Sequence, residues 1–393
     1  MDNQALRLKK GKEKSIIHRH PWIFSGAVAE LPKVEEGSIV EVLSSDGQFL
    51  AYGFYSGRSQ IVCRLFEWEK QNTDDFKQQY WTKKLLAAAT LRRSLLHLET
   101  TNTYRLLHAE GDFFPGVIID VYDTVAVVQL LIRGTELLVE PLKIALQEIG
   151  FQHIYIKGKT SSFVLEDVRT ASGWLKGSVA VPVRVKENNV LFDVDFIDGQ
   201  KTGFFIDQRD NRQLVAHYAK GKRVLNTFCY TGGFCAYAAA GGATSVDSVD
   251  ISKDAILKAS TNVRLNSSLV EHTAVAADCF DYLGEIPEAY YDIIILDPPA
   301  FAKSAKAVAN ASRGYKQINL KAFRKIKKGG LLFTFSCSQN IDKVLFQKIV
   351  FGAAADAGRN VRIIHQVHQP LDHPINIYHP ESEYLKGLVL YVE

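Results

Sequence analysis

From about Phe196 onward, short apolar runs alternate with longer stretches of helical period, and each run ends on a polar or acidic residue. Val224-Leu225 runs into Asn226, Ser245–Val249 into Asp250, and Thr273–Ala277 into Asp278. Asp292–Leu296 runs into Asp297, and Leu331–Phe335 into Ser336-Cys337-Ser338. Helical patterns over Asp254–Leu265 and near Tyr315–Lys328 separate them. This alternation predicts an α/β fold with a mostly parallel, doubly wound sheet. Ligands bind outside the carboxyl ends of such strands, so Asn226, Asp250, Asp278, Asp297 and Cys337 are expected on one rim.

The earlier chain has a different rhythm. Ser38–Leu43, Phe49–Phe54 and Ile61–Phe66 read as strands, with turn signals at Glu36-Gly37 and Ser45-Asp46-Gly47. They make residues 1–72 a small β-rich unit. Near Thr73 a helix begins, with Phe76, Tyr80, Leu85, Ala88, Leu91 and Leu95 on one face. A hairpin (Val117–Val121 with Val125–Leu131), a helix over Glu136–Ile149 stopped by Gly150, and a strand at His153–Lys157 come next. Val181–Val185 is expected to pair with Val190–Phe196 across Asn188-Asn189. Residues 73–195 thus form a central α+β domain, and 196–393 carry the doubly wound sheet.

Composition changes little in this picture. With 393 residues, 47% hydrophobic and 23% charged, the chain has ample core for two or three domains. No apolar run approaches a membrane span, and Met1–Arg7 lacks a signal-peptide core. The five cysteines (Cys63, Cys229, Cys235, Cys279, Cys337) form no C-x-x-C pair. That favours a reducing cytoplasm and argues against a structural metal. Net charge is only +4, but residues 1–30 hold six Lys/Arg against three acids. Lys14, His18, Arg19 and His20 interleave with Trp22 and Phe24, as in RNA-contacting loops. The alternative is a solvated edge, with Trp22 and Phe24 in the core in either case.

Gly232-Gly233 after Asn226 lets a backbone approach a ligand closely, and an acid at the end of the next strand, Asp250, suits ribose hydroxyls. G-x-G-x-x-G is absent. A ligand with ribose but no phosphate, such as S-adenosylmethionine (SAM), therefore fits better than a dinucleotide; an ordinary βαβ unit fits equally well. Asp297-Pro-Pro-Ala-Phe301 is the sharpest local signal: a rigid loop offering a carboxylate, carbonyls and a ring to a planar heterocycle. Cys337, at the next strand end, is a nucleophile candidate. Phe205, Asp207 and Arg209 lie in the run Gly203–Arg212, where Arg209 or Arg212 could hold a carboxylate; a charged helix start is the competing reading.

Lys201-Thr-Gly-Phe-Phe-Ile-Asp-Gln-Arg-Asp-Asn-Arg212, Asn226-Thr-Phe-Cys-Tyr-Thr-Gly-Gly-Phe234, Asp297-Pro-Pro-Ala-Phe-Ala-Lys-Ser304 and Ser336-Cys-Ser338 closely resemble the bacterial 23S rRNA cytosine-5 methyltransferases of the ribosomal RNA large subunit methyltransferase I family. His20-Pro-Trp-Ile-Phe-Ser-Gly26 resembles their PUA domain, and Asp372-His-Pro and Glu383-Tyr-Leu-Lys386 their C-terminal signatures. Gly111–Gly116 is bulkier than usual. The resemblance covers essentially the whole chain. It implies a PUA domain, a central domain and a class I SAM-dependent methyltransferase domain with a seven-stranded sheet. It also implies that Asn226, Thr227, Phe228, Tyr230, Thr231 and Gly232 cradle SAM, with Asp250 on the ribose and Asp278 on the adenine. Ser252, Cys279, Asp297, Phe205, Asp207 and Arg209 complete that set. Cys337 would attack the base while Asp297 and Phe301 hold it, and Lys14, Arg19 and His20 would contact RNA. Some RNA cytosine-5 methyltransferases carry a second cysteine where Pro299 stands here, so the base for the last step has no candidate. The expected partner is 23S rRNA or an assembling large subunit, with no membrane or metal; a homodimer is compatible. Nitrogen methylation, or a non-catalytic RNA-binding assembly role, are the alternatives.

Overall fold

The computed structural model describes residues 4–158, 166, 168–302 and 304–393; Lys303 of the Asp-Pro-Pro motif and Asp2 of the charged N-terminus lie outside them. The chain divides into two compact units. One takes Met1–Val183, Val194–Phe204 and Leu371–Ser382; the other takes Arg184–Asp193, Phe205–Pro370 and Glu383–Glu393. The chain therefore passes between the units repeatedly, where three successive domains were expected. The hairpin of Val183–Glu187 and Val190–Val194 lies mainly with the second unit because Asn262 and Asn266 bond its backbone at Asp193 and Leu191.

In the first unit the expected strands form at Ile39–Leu43, Phe49–Tyr55 and Ile61–Glu67, in a six-stranded sheet completed by Ala5–Leu8, Trp22–Phe24 and Val28–Glu30. Trp22 and Phe24 depart from expectation. Phe24 is 46% exposed, and half-buried Trp22 donates its indole N–H to Glu110 at 2.9 Å. A second, five-stranded sheet contains Thr103–His108, Val117–Tyr122, Val125–Leu130, His153–Lys157 and Gly173–Lys176. Tyr52, Phe54 and Phe66 of the first sheet share one apolar cluster with Trp81, Phe114 and Leu130, so the β-rich part is not insulated from the rest of the unit. Asp372 is wholly buried here: its carboxylate accepts from the Arg105 N–H, and its carbonyl accepts from Arg92.

The second unit is built on a seven-stranded sheet, labelled β1 (Arg223–Thr227), β2 (Ser245–Asp250), β3 (Glu271–Ala276), β4 (Ile293–Leu296), β5 (Gly330–Ser336), β6 (Val361–His368) and β7 (Lys386–Val392). Its order is β3-β2-β1-β4-β5-β7-β6. The first five strands are parallel, and β7 runs antiparallel to both β5 and β6. The order reverses between β1 and β4, which opens a crevice at their carboxyl ends.

Its helices are α1 (Arg209–Ala219), α2 (Gly233–Ala240), α3 (Lys253–Asn266), α4 (Cys279–Glu285), α5 (Val308–Lys325) and α6 (Lys343–Asp356). Helix α5 begins earlier than expected because its buried stripe of Ala311, Tyr315, Ile318, Ala322 and Phe323 starts ahead of Tyr315. Gly314 interrupts that stripe in sequence but not in space: a β-carbon there would meet the Phe301 ring at 3.3 Å. Glycine lets the ring settle on the helix.

Candidate active site

The loop after β1 is made of unusual backbone. Phe228, Tyr230 and Gly232 all have positive φ (55°, 48° and 78°). At Gly232 a β-carbon would lie 2.8 Å from that of Ala259, so only glycine fits. Two strained non-glycine residues persist because neighbours hold them. The Tyr230 N–H donates to Asp250 at 2.9 Å, and the Phe228 N–H to the Cys279 sulfur at 3.1 Å. Asn226, at the end of β1, is buried; its amide donates to the Cys235 sulfur while its Oδ1 has no hydrogen-bond partner. Thr227 turns its hydroxyl to the Ile295 carbonyl at 3.0 Å.

Asp250 closes β2. One oxygen accepts from Tyr230, the other from the Ser252 N–H at 3.0 Å, so the carboxylate is aimed by two backbone bonds. Ser252 caps α3 through Ala255, and Asp278 caps α4 through Phe280 at 2.7 Å and Asp281. Cys279 is buried, and burial pushes its thiol up to about 12, so it stays protonated while its sulfur accepts from the Phe228 N–H. In the run before α1, the Phe205 ring stands edge-on to Tyr230 at 5.1 Å, and Asp207 accepts from the Tyr384 hydroxyl at 2.8 Å. Arg209 is buried, 3.6 Å from Asp210. Arg212, offered above as a carboxylate ligand, is instead committed: it grips Glu187 through two bonds of 2.8 and 2.7 Å and donates to the Phe205 carbonyl. Both partners are buried, so that pair is internal framework.

The other half of the crevice faces β4 and β5. Asp297 follows β4 directly, and Cys337 follows β5, the adjacent parallel strand. Of the five cysteines only Cys337 is not buried. Both serines beside it are fully buried and bond the Tyr315 hydroxyl at 3.0 Å. Ser338 also accepts from the Ala302 N–H at 3.2 Å, tying the Asp-Pro-Pro loop to the cysteine loop. Phe301 is half-buried, its ring 4.6 Å from Tyr315 and 6.1 Å from Phe280. Tyr315 and Tyr384 are site-building residues that no strand-end argument finds. Lys386 belongs with them: its ammonium donates to the Ser338 carbonyl at 2.7 Å.

Asn226, Asp250, Asp297 and Cys337 thus stand at the carboxyl ends of parallel strands, with Asp278 just beyond β3. Lys14, Arg19 and His20 belong to the first unit; Lys14 and Arg19 are exposed, and half-buried His20 lies 3.6 Å from Glu381. Among the described residues no group of three or more His, Cys, Asp or Glu could hold a metal ion, and no helix is long and apolar enough to cross a membrane.

The arrangement has close counterparts. A family described as S-adenosylmethionine-dependent methyltransferase matches residues 104–375, and a PUA-like domain matches residues 6–68. A protein of Photobacterium profundum named ribosomal RNA large subunit methyltransferase I is 41% identical, the match covering 99% of each chain. Its namesake in Aeromonas salmonicida is 41% identical over 98% of each. A SAM-dependent methyltransferase fold from Streptococcus mutans superposes with a TM-score of 0.84 at 25% identity, covering 98% of this chain and 99% of that one. A further structure, complexed with SAH, gives a TM-score of 0.85 at 25% identity with the same coverage.

Proposed function

The chain belongs to the ribosomal RNA large subunit methyltransferase I family, a group of SAM-dependent methyltransferases, and from that premise we propose that it methylates carbon-5 of a cytosine in 23S rRNA through a covalent cysteine adduct. The site suits SAM. Asn226 presents a buried oxygen without a hydrogen-bond partner, Gly232 lets the loop pack closely on Ala259 of α3, and Asp250 is aimed by its backbone bonds. Asn226–Gly232 would hold the cofactor with Asp250 on its ribose hydroxyls, while Phe205, Asp207 and Arg209 would flank its methionine end. Bound SAM supplies a methyl group on a positively charged sulfur, an electrophile that carbon-5 can attack.

Carbon-5 of cytosine is too weak a nucleophile unaided. Attack by the Cys337 thiolate at carbon-6 forms an S–C bond and pushes the ring electrons toward N3, leaving an enamine whose carbon-5 is nucleophilic. Asp297 binds the N3 edge and Phe301 packs on the ring, so the base must be unstacked to enter. After transfer, loss of the carbon-5 proton to a base and expulsion of the thiolate restore the double bond.

The observation that carries this reading is that Cys337 is the one cysteine not buried, at a strand end adjoining that of Asp297. Nitrogen methylation needs no nucleophile there. The test is 23S rRNA carrying 5-fluorocytosine: wild-type protein should be trapped covalently and Cys337→Ala should not. Methyl transfer by Cys337→Ala at a near wild-type rate would replace this reading with nitrogen methylation.

A further inference from the structure

We infer that Lys386 is a positioning residue for Cys337, its ammonium holding the thiol in the anionic state that attacks the base. The inference rests on Cys337 being the nucleophile.

The fold delivers Lys386 to this place by register. It opens β7 directly across from Ser336, the last residue of β5, and its ammonium donates to the carbonyl of Ser338 at 2.7 Å. The lysine therefore brackets Cys337: it is paired by backbone to the residue before it and bonded by side chain to the residue after it. Lys386 is 6% exposed, so little water remains to solvate its charge. A buried ammonium with one neutral acceptor is costly and calls for an anion nearby.

The charged groups around it narrow the choice. Burial pushes Lys386 down to about 8; opposing that, Cys337 acts most strongly, then Asp342 and Glu383, while Lys343 adds to the depression. Asp342 spends an oxygen capping α6 through the Leu345 N–H at 2.7 Å, and Glu383 is ion-paired with Lys343. On the other side of β7, His368 is paired to Lys386 by backbone but turns its ring to the Gln369 carbonyl at 2.7 Å. Tyr315 also faces Cys337, with its hydroxyl shared between Ser336 and Ser338. Cys337 lies between the two residues that Lys386 pairs with or bonds, so we take its sulfur as the group that answers the lysine charge. On ionisation the thiol proton leaves to solvent and the lysine keeps its own, so the pair forms without proton exchange between them.

The test reads Cys337 alkylation by iodoacetamide as a function of pH, followed by peptide mass spectrometry. In Lys386→Met the midpoint should move upward by about one pH unit, a tenfold smaller thiolate fraction at neutral pH. Covalent trapping on 5-fluorocytosine RNA at pH 7 should slow at least as much and recover as pH rises. Lys386→Arg, which keeps a cation, should stay near wild type. A second measurement needs no variant: capping Cys337 as a neutral thioether in the wild-type protein should by reciprocity lower the midpoint at which Lys386 is acetylated. An unmoved cysteine profile in Lys386→Met, or an unmoved lysine profile after capping, would overturn the inference and leave Lys386 structural. A shifted cysteine profile together with full methyl transfer by Cys337→Ala would uphold the charge pair while removing the nucleophile.

Discussion

Tyr315 on α5 and Ser338, the residue after Cys337, stand hydroxyl to hydroxyl at 3.0 Å. Ser336 donates to the same tyrosine oxygen at 3.0 Å, and Ser338 accepts from the Ala302 N–H. One buried phenol thus fixes both neighbours of the candidate nucleophile and, through Ala302, the loop that carries Phe301 and Asp297.

Removing that phenol oxygen should separate stability from chemistry. Tyr315→Phe keeps the ring on which Phe301 rests but leaves two buried serine hydroxyls without their shared partner, costing about 1–3 kcal/mol. Denaturant unfolding should show that loss, and calorimetry an unchanged SAM affinity. Single-turnover methylation should slow by about tenfold or more, since small misplacements of reacting groups are expensive. Full activity in a destabilised Tyr315→Phe would mean that the network only supports the fold.

Why the strand-end places of Asp250 and Cys337 were legible, and the contacts of Tyr315 and Lys386 were not, comes down to how a parallel sheet is built. Strand ends are where side chains leave the ladder, so a polar residue closing an apolar run marks the rim from sequence alone. Tyr315 sits inside a helical stripe that Gly314 interrupts in sequence, and nothing local says its hydroxyl faces β5. Lys386 reaches the Ser338 carbonyl only because β7 pairs antiparallel with β5 in one register, a fact held between segments about fifty residues apart. The same limit explains Trp22 and Phe24. Their apolarity predicts burial, but Phe24 closes a three-residue strand that ends on the surface.

Gly314→Ala tests the seat of Phe301. A methyl group would sit 3.3 Å from the ring, so the ring must give way by a few tenths of an ångström. Alanine also favours the helix by about 1 kcal/mol over glycine. Thermal stability should therefore hold or rise while methylation falls several-fold. A loss of both together would point to a repacked helix rather than a displaced ring.

Truncation tests the shared core of the first unit. Phe54 stacks on Trp81 at 5.8 Å and Phe66 meets it at 5.1 Å, across the boundary near residue 72. Deleting residues 1–72 would strip those rings away, and each large apolar side chain returned to water costs about 1.5–3 kcal/mol. The truncated protein should aggregate or lose protease resistance over residues 73–158. A monodisperse product with the wild-type melting temperature would show that the β-rich part is a detachable module.

Asp250→Ala should weaken SAM and SAH binding by about ten- to a hundredfold, because charged hydrogen bonds contribute on the order of 1.5–3 kcal/mol. The loss would have two sources: the proposed ribose contact, and the Tyr230 N–H that Asp250 holds at 2.9 Å in a loop of positive-φ residues. Asp250→Asn keeps an acceptor for Tyr230 but not the charge, so it should fall between wild type and alanine. Equal affinities in all three proteins by calorimetry would take Asp250 out of the cofactor site.

Arg212 distinguishes framework from ligand contact. It is buried against Glu187 and also donates to the Phe205 carbonyl at 2.8 Å, so it could influence the cofactor without touching it. Arg212→Met alone leaves Glu187 buried and unpaired, a loss of about 3–5 kcal/mol, and SAM affinity should drop as the Phe205 backbone loosens. Adding Glu187→Met removes the stranded charge, and apolar replacements of buried pairs are often neutral or stabilising. Stability should then return toward wild type and carry most of the SAM affinity with it, because the guanidinium serves the pair. If the double variant regains its stability but still binds SAM a hundredfold more weakly, Arg212 is a cofactor ligand after all, and its bond to Glu187 aims it at the methionine carboxylate.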